Sequence, residues 1–197
     1  ALIATVLIIS HNAFAAAPPP DFNILCDSTA LAGSPFVRGI NCRIANVDGY
    51  PREYVVYVPL SPAFKPKKTS PVLFFFHGSG GGAENAALTS GWMEKANAEG
   101  LVAVFGTALK YFDLADGGVK TEWNNFNLLG IVDLLRFQPP GYPATAPWPA
   151  DDVKFTDIMI ADVQAGLRVD PRRIYISGFS SGGGMVYAPL GPTHEAI

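Results

Sequence analysis

A serine between two glycines, at position 180 of 197, is the residue best suited to chemistry. It lies in the segment GFSSG at 178–182, which has the pattern G-x-S-x-G and follows the apolar run IYI at 174–176. A strand, a sharp turn and a helix in this order project a serine hydroxyl clear of the backbone, and small residues at both ends allow the strained turn. The sequence therefore predicts Ser180 as the nucleophile of an acyl-transfer reaction.

A second glycine-rich segment is suited to stabilise the charge that such an attack creates. The segment HGSGGG at 77–82 directly follows the apolar run LFFF. The tetrahedral intermediate of acyl transfer needs backbone N–H donors about 3 Å from its oxyanion, and glycines let the main chain approach closely. We expect the N–H groups of Ser181 and Ser79 to be these donors. A plain glycine turn is the alternative, whereas a phosphate-binding loop is disfavoured because no G-x-x-x-x-G-K-[ST] pattern follows.

The base that should activate this serine is harder to find. The three histidines are His11 in an apolar N-terminal run, His77 in the glycine-rich segment and His194 near the end of the sequence. In this type of site the acid and then the histidine follow the serine along the chain. The one carboxylate after Ser180 is Glu195, whose neighbour His194 lies too close to form a relayed pair with it. We therefore expect the triad acid and histidine to be absent from this chain, which would make it a fragment.

The elements that must hold these residues alternate between strands and helices. Continuous apolar runs are typical of strands covered on both faces, and they predict strands at Tyr54–Val58, Val72–Phe76, Leu101–Phe105 and Arg173–Ser177. Helices are predicted at about Glu84–Glu99 and Val153–Arg168. Asp151 and Asp152 would be the N-cap and first-turn acid of the second helix. This alternation predicts an α/β fold with a mostly parallel sheet.

The segment from about Lys110 to Ala150 is predicted to be irregular, because it is rich in Gly, Pro and Asn. Loops of this length in compact domains are usually functional or mobile. Its aromatic residues either line a substrate cleft or pack within the loop itself; they include Trp123, Phe126, Tyr142 and Trp148.

The N-terminal residues indicate export. Residues 1–15 are mostly apolar and end in Ala13-Phe14-Ala15, which fits the A-x-A cleavage pattern. The run is too short to span a membrane as a helix, and a buried N-terminal helix is the alternative. We expect residues 1–15 to be a signal peptide with an incomplete start, residues 16–50 an N-terminal segment and residues 51–197 a partial catalytic domain. The protein would then be secreted.

The cysteines and the composition limit the other classes of function. In an exported protein the pair Cys26 and Cys42 favours a disulfide, with two buried thiols as the alternative. No histidine lies near them in the sequence, so we expect no metal site, and we expect no cofactor. With 49% hydrophobic and 16% charged residues and a net charge of −3, the sequence gives no reason to expect a nucleic-acid partner or a membrane partner.

Five segments occur in a fixed order: REYVVYVP at 52–59, LFFFHGSGGG at 73–82, ADDVKF at 150–155, VDPRRIY at 169–175 and GFSSGG at 178–183. Together they resemble the polyhydroxybutyrate depolymerase and feruloyl esterase family of secreted α/β-hydrolases, over about Cys42 to Tyr187. The resemblance implies an α/β-hydrolase fold with Ser180 as nucleophile and Ser79 and Ser181 as oxyanion donors. Beyond Tyr187 the likeness ends, because Pro189 and Pro192 interrupt the expected helix. We expect the C-terminal strands of the fold to be missing.

The resemblance and the motifs together predict a secreted serine carboxylic-ester hydrolase. Its substrates would be polymer-linked or small esters of the feruloyl, acetyl-xylan or polyhydroxyalkanoate type, so that a polysaccharide or a polyester carries the scissile bond. The alternative is a truncated, catalytically inactive product that acts at most as a binding domain. A peptidase would use the same triad, but the family likeness disfavours it.

Overall fold

A mixed sheet with helices on both faces forms the centre of the molecule in the computed structural model. The structure describes residues 25–26, 29–113, 119–124, 137–138 and 151–187. The predicted signal peptide and the aromatic residues Phe126, Tyr142 and Trp148 lie outside these residues, as do His11, His194 and Glu195.

Six strands of the described part of the chain form the main sheet. Their bounds are Ala30–Leu31 (β1), Gly39–Val47 (β2), Tyr50–Val58 (β3), Ser70–Phe76 (β4), Val102–Gly106 (β5) and Val169–Gly178 (β9). Their spatial order is β1-β2-β3-β5-β4-β9. Strand β4 pairs in parallel with both β5 and β9, and β1 pairs in parallel with β2, whereas β3 is antiparallel to β2 and β5. The pairings within this sheet are thus mostly parallel, which confirms the predicted α/β class.

Three of the four predicted strands lie within β3, β4 and β9, and the predicted Leu101–Phe105 is shifted by one residue from β5. The sequence reasoning missed β2. This strand forms a hairpin with β3 through Asp48 and Gly49. Both residues have positive φ, 53° and 90°, as the tightest hairpin turns require. The dipeptide Asp-Gly was the signal that could have revealed the hairpin.

Four helices flank the main sheet within the described residues: Ala83–Thr89 (α1), Trp92–Glu99 (α2), Asp152–Gly166 (α3) and Ser181–Tyr187 (α4). The prediction of one helix over Glu84–Glu99 was wrong, because Gly91 adopts a left-handed conformation with φ 76° and separates α1 from α2. The helix α3 agrees with the prediction within two residues. Its N-cap is Asp151, whose carboxylate accepts a hydrogen bond from the Lys154 N–H at 2.8 Å.

Part of the segment predicted to be irregular forms a second, three-stranded antiparallel sheet. Its strands are Leu109–Asp113 (β6), Val119–Glu122 (β7) and Phe137–Gln138 (β8), in the order β7-β6-β8. The prediction failed here because strands of two to five residues are too short to show an alternating pattern. As described below, β7 ends beside the glycine-rich loop at 77–82.

The two faces of the main sheet are buried against different helices. On one face Val56, Phe74 and Val104 pack with residues of α3 and α4 in one apolar cluster. On the other face Val55, Leu73 and Ala103 pack with alanines of α1 and α2 in a second cluster. Neighbouring residues on a strand point to opposite faces, so this double cover explains why the strand sequences are continuously apolar.

The N-terminal segment is joined to the sheet by the predicted disulfide between Cys26 and Cys42. Cys42 lies in β2, and Leu25 and Cys26 pack against the cluster that contains α1 and α2. Among the described residues, no helix is long and apolar enough to cross a membrane.

Candidate active site

The turn after β9 has the geometry that the pattern G-x-S-x-G predicts. The strand ends at Gly178, α4 begins at Ser181, and Ser180 between them is exposed with φ 54°. A Cβ atom at Gly178 would lie 2.1 Å from the carbonyl oxygen of Gly182, and one at Gly182 would lie 2.1 Å from that of Phe76. Larger side chains at these two positions would therefore displace the backbone, and the turn needs both glycines.

The glycine-rich loop lies directly against this turn. The parallel pairing of β4 with β9 brings Phe76 opposite Gly178, and the N–H of Phe179 donates a hydrogen bond to the carbonyl of Phe76 at 3.0 Å. A Cβ atom at Gly78 would lie 3.1 Å from the Cβ of Ser180. The structure therefore brings together the loop that contains Ser79 and the turn that contains Ser180 and Ser181.

His77, which opens the loop, is a structural residue. Its Nδ1 donates a hydrogen bond to the carbonyl of Gly78 at 2.7 Å, and its Nε2 accepts one from the N–H of Ala108 at 3.0 Å. Burial lowers the pKa of His77 to about 4, since a charged imidazolium is disfavoured away from water. The neutral ring has both nitrogens occupied, so His77 does not serve as a base for Ser180.

Three consecutive residues at the end of β7 and just beyond it fix the glycine-rich loop. The N–H of Gly80 donates to the carbonyl of Thr121 at 2.8 Å, and the hydroxyl of Thr121 donates to the carbonyl of Gly81 at 2.5 Å. The hydroxyl of Ser79 donates to the carboxyl of Glu122. We call Thr121, Glu122 and Trp123 the β7 clamp.

Trp123, the last residue of the β7 clamp, packs in the core and does not line a cleft. It is 0% exposed, and its ring lies edge-on to Phe76 with the centroids 4.9 Å apart. Its Nε1 donates a hydrogen bond to the carbonyl of His77 at 2.8 Å. Trp123 therefore neither lines the cleft nor packs within its own loop, the two interpretations from the sequence, but belongs to the core cluster beneath the main sheet.

A buried ion pair connects the start of α3 to the residue after the β7 clamp. Arg52 and Asp152 lie 2.6 Å apart, and both side chains are 1% exposed. The other carboxylate oxygen of Asp152 accepts a hydrogen bond from the N–H of Asn124 at 2.5 Å. Asp152 thus does more than begin a helix, which was its predicted role.

An open cleft of about 620 Å³ lies between the loop, the turn and α1. Its walls include the loop residues 77–81, the polar residues Asn85, Thr89 and Ser90, and the ring of Phe179. Phe179 is 71% exposed, although it lies between the end of β9 and Ser180. The cleft is wide enough for a small ligand or for one unit of a longer polymer.

One group of metal-ligating residue types occurs within the described part of the chain. The carboxylate of Glu84 lies within 4.8 Å of the sulfur atoms of Cys26 and Cys42. Because these sulfurs are bonded to each other, they do not offer the thiolates that a metal ion would need.

Sequence reasoning found the residues that local patterns determine and missed those brought in from a distance. Glu122 and Thr121 contact the loop across about 40 positions of the chain, and Arg52 lies 100 positions from Asp152. The segment TEWN at 121–124 has no local signature of its own. A charged residue inside an apolar strand, such as Arg52 in β3, was a usable signal, because such a residue must find a partner when it is buried.

No protein-family profile matches the chain. It is 31% identical over 130 residues to feruloyl esterase B of Piromyces equi, an alignment that covers 66% of this chain and 20% of that enzyme. Among solved structures it is similar to an S-formylglutathione hydrolase from Agrobacterium tumefaciens (TM-score 0.53, 18% identity, 78% of this chain and 53% of that chain). It is also similar to a poly(3-hydroxybutyrate) depolymerase from Bordetella parapertussis (TM-score 0.50, 16% identity, 81% and 48%). The chain thus spans a fifth of the curated relative and about half of each of these structures.

Proposed function

We propose that this chain, which has the α/β-hydrolase fold, belongs with the feruloyl esterases and polyhydroxybutyrate depolymerases and carries the nucleophile and the oxyanion loop of a serine ester hydrolase. The observation that carries the proposal is the left-handed Ser180 between β9 and α4, in contact with the loop at 77–82. A serine in this strained turn presents its hydroxyl to a substrate rather than to the protein.

In the proposed reaction the Oγ of Ser180 attacks the ester carbonyl carbon and its proton passes to a histidine base. The backbone N–H groups of Ser181 and Ser79 hold the resulting oxyanion. The C–O bond then breaks, the alcohol leaves with the proton, and water hydrolyses the acyl–serine to release the acid. The base is a histidine other than His77, whose nitrogens are both engaged.

The proposed substrates are esters attached to a polymer, or small esters of the same acids. The names of the relatives support this class, since one is a feruloyl esterase and another a poly(3-hydroxybutyrate) depolymerase. The open cleft and the exposed ring of Phe179 also support it, because an aromatic or aliphatic acyl group can pack on such a ring. A panel of methyl ferulate, acetylated xylan and 3-hydroxybutyrate oligomers would separate the three acyl types.

Secretion is part of the proposal and is supported by the disulfide between Cys26 and Cys42. Disulfides form and persist in oxidising compartments and are rare in the cytosol. Fractionation of cells that express the full coding sequence would test this directly, with the protein expected in the medium.

The role of Ser180 can be tested with a fluorophosphonate probe, which labels only activated serines. In the protein expressed from its full coding sequence, we expect labelling and ester hydrolysis, and the loss of both in Ser180→Ala. The matched control is Ser34→Ala, because Ser34 follows β1 at the opposite edge of the sheet. A folded protein that is neither labelled nor hydrolytic would instead support the inactive, ligand-binding alternative.

A further inference from the structure

The carboxyl group of Glu122 is in an unusual position for an acidic side chain. The residue is 7% exposed, and one carboxyl oxygen accepts the hydrogen bond from the hydroxyl of Ser79. Its other oxygen has no hydrogen-bond partner among the described residues. Ser79 itself is exposed at the cleft, so the hydrogen bond runs from the cleft surface into the protein interior.

Stability alone does not account for this contact. A buried carboxyl group with an unsatisfied oxygen costs free energy, and removing such a group costs little stability when its partner is not left buried and unsatisfied. The hydroxyl of Ser79, being exposed, can bond to water when Glu122 is absent. The hydrogen bond between Ser79 and Glu122 therefore contributes little to stability. Its other effect is on the position of the loop backbone.

The pair positions the backbone at the centre of the loop. Thr121 holds Gly80 and Gly81 and Trp123 holds His77 by the hydrogen bonds described above. Glu122 supplies the hydrogen bond at Ser79 itself. The β7 clamp thus fixes the loop on both sides of the peptide group whose N–H is proposed to bind the oxyanion.

We propose that Glu122 is a positioning residue of the oxyanion hole: by binding the hydroxyl of Ser79 it fixes the orientation of the Ser79 backbone N–H. This inference rests on the proposed function, since it concerns the same site. Oxyanion donors must lie about 2.7–3.1 Å from the oxygen on which the charge develops, so displacing a donor by about 1 Å weakens its effect strongly. Loss of the Glu122 contact should therefore reduce transition-state stabilisation more than substrate binding.

The test compares three single variants, and the double variant of Glu122→Met with Ser79→Ala, in the protein expressed from its full coding sequence. Glu122→Met keeps the length of the side chain without an acceptor, Glu122→Gln restores an acceptor, and Ser79→Ala removes the hydroxyl but keeps the N–H. We expect Glu122→Met and Ser79→Ala each to lower kcat by about 10- to 100-fold, with KM changed by less than about twofold. The double variant should be no slower than either single variant, and Glu122→Gln should recover most of kcat.

Two further measurements separate positioning from a general structural role. The thermal midpoint of Glu122→Met should stay near that of the wild type, and Glu94→Met, at an exposed glutamate of α2, serves as the control. Hydrogen exchange of the backbone amides at 79–81 should be faster in Glu122→Met than in the wild type or in Glu94→Met. This readout does not depend on catalysis.

The outcomes distinguish the two proposals. If the wild type hydrolyses esters and Glu122→Met retains its kcat, the positioning role is overturned while the proposed function stands. A fall in the thermal midpoint together with kcat, without recovery in Glu122→Gln, would also overturn it in favour of a structural role. If the wild type is inactive but the exchange at 79–81 accelerates in Glu122→Met, the proposed function fails and the positioning of the loop is supported. Unchanged exchange in an inactive protein would refute both.

Discussion

At the scale of single residues, His77 shows how burial decides a role that position in the sequence leaves open. It begins the segment that is expected to bind an oxyanion. From this position in the sequence, a histidine could be interpreted as a catalytic base. Its ring is buried beside Trp123, with centroids 5.0 Å apart, and both nitrogens are bonded to the backbone. The residue therefore fixes the path of the loop and remains neutral.

The buried neutral state of His77 predicts a dependence of stability on pH. Its pKa in the folded protein, about 4, lies below the ordinary value of 6.5. The unfolded chain therefore binds the proton first as the pH falls. The stabilisation is complete above about pH 6.5 and is lost between 6.5 and 4, by up to about 3 kcal/mol.

Urea unfolding of the wild type and of His77→Gln at about pH 7.5, 6 and 5 measures this contribution. The difference in free energy of unfolding between the two proteins should shrink as the pH falls, because the glutamine side chain of the variant does not titrate. Other groups that titrate in this range affect both proteins alike and cancel in the difference. If the difference in free energy of unfolding between the two proteins stayed constant with pH, the titration of His77 would not contribute to the pH dependence of stability.

The residues of the site differ in how far sequence alone could identify them. The conformation at Ser180 was predictable because five consecutive residues determine the backbone of the turn. The structure has the left-handed serine that this pattern requires. The proximity of Ser79 was predictable because adjacent parallel strands end at the same edge of a sheet. Glu122 was not predictable, because its contact with Ser79 depends on a short antiparallel strand 43 positions away.

At the scale of elements, local conformational requirements explain both the successes and the errors. The strands β4, β5 and β9 were found because burial on both faces makes their sequences continuously apolar. The break between α1 and α2 was missed, since Gly91 can also occur within a helix and only its left-handed conformation here ends one. Helix α3 was found from its cap and its periodicity, but its connection to β3 was not.

That connection is the ion pair between Arg52 and Asp152. It predicts that the neighbouring acids Asp151 and Asp152 contribute very differently to the free energy of unfolding. Asp152→Asn would leave the guanidinium of Arg52 buried without a counter-charge, at 1% exposure. We expect this change to lower the free energy of unfolding by about 3–5 kcal/mol. Asp151→Asn should change it by less than about 0.5 kcal/mol, because asparagine caps a helix as well as aspartate does.

Chemical denaturation of both variants under the same conditions tests this prediction, with each substitution removing one negative charge from the same helix end. Similar losses in the two variants would show that the helix dipole, rather than the buried pair, is responsible. Because Asp152 also accepts a hydrogen bond from the N–H of Asn124, the residue after the β7 clamp, Asp152→Asn should also lower the proposed esterase activity, and Asp151→Asn should not.

At the scale of the whole molecule, the N-terminal segment is held to the sheet by the disulfide and by strands β1 and β2. Cys26 is near the beginning of the described residues, and Cys42 lies in β2, between β1 and β3. The closed loop adds the half-buried Leu25 and Cys26 to the cluster of α1 and α2. Without the bond, this segment would have to be ordered by its packing and hydrogen bonds alone.

The chain-entropy model predicts that a cross-link closing a loop of this size stabilises a protein by about 3 kcal/mol. Reduction with a phosphine should therefore lower the free energy of unfolding of the wild type by about this amount. The double variant Cys26→Ala/Cys42→Ala should be destabilised to a similar degree and should not respond to the phosphine. Thiol titration shows when the disulfide has been reduced. If the reduced wild type then keeps its full free energy of unfolding, packing and hydrogen bonds suffice to hold the segment.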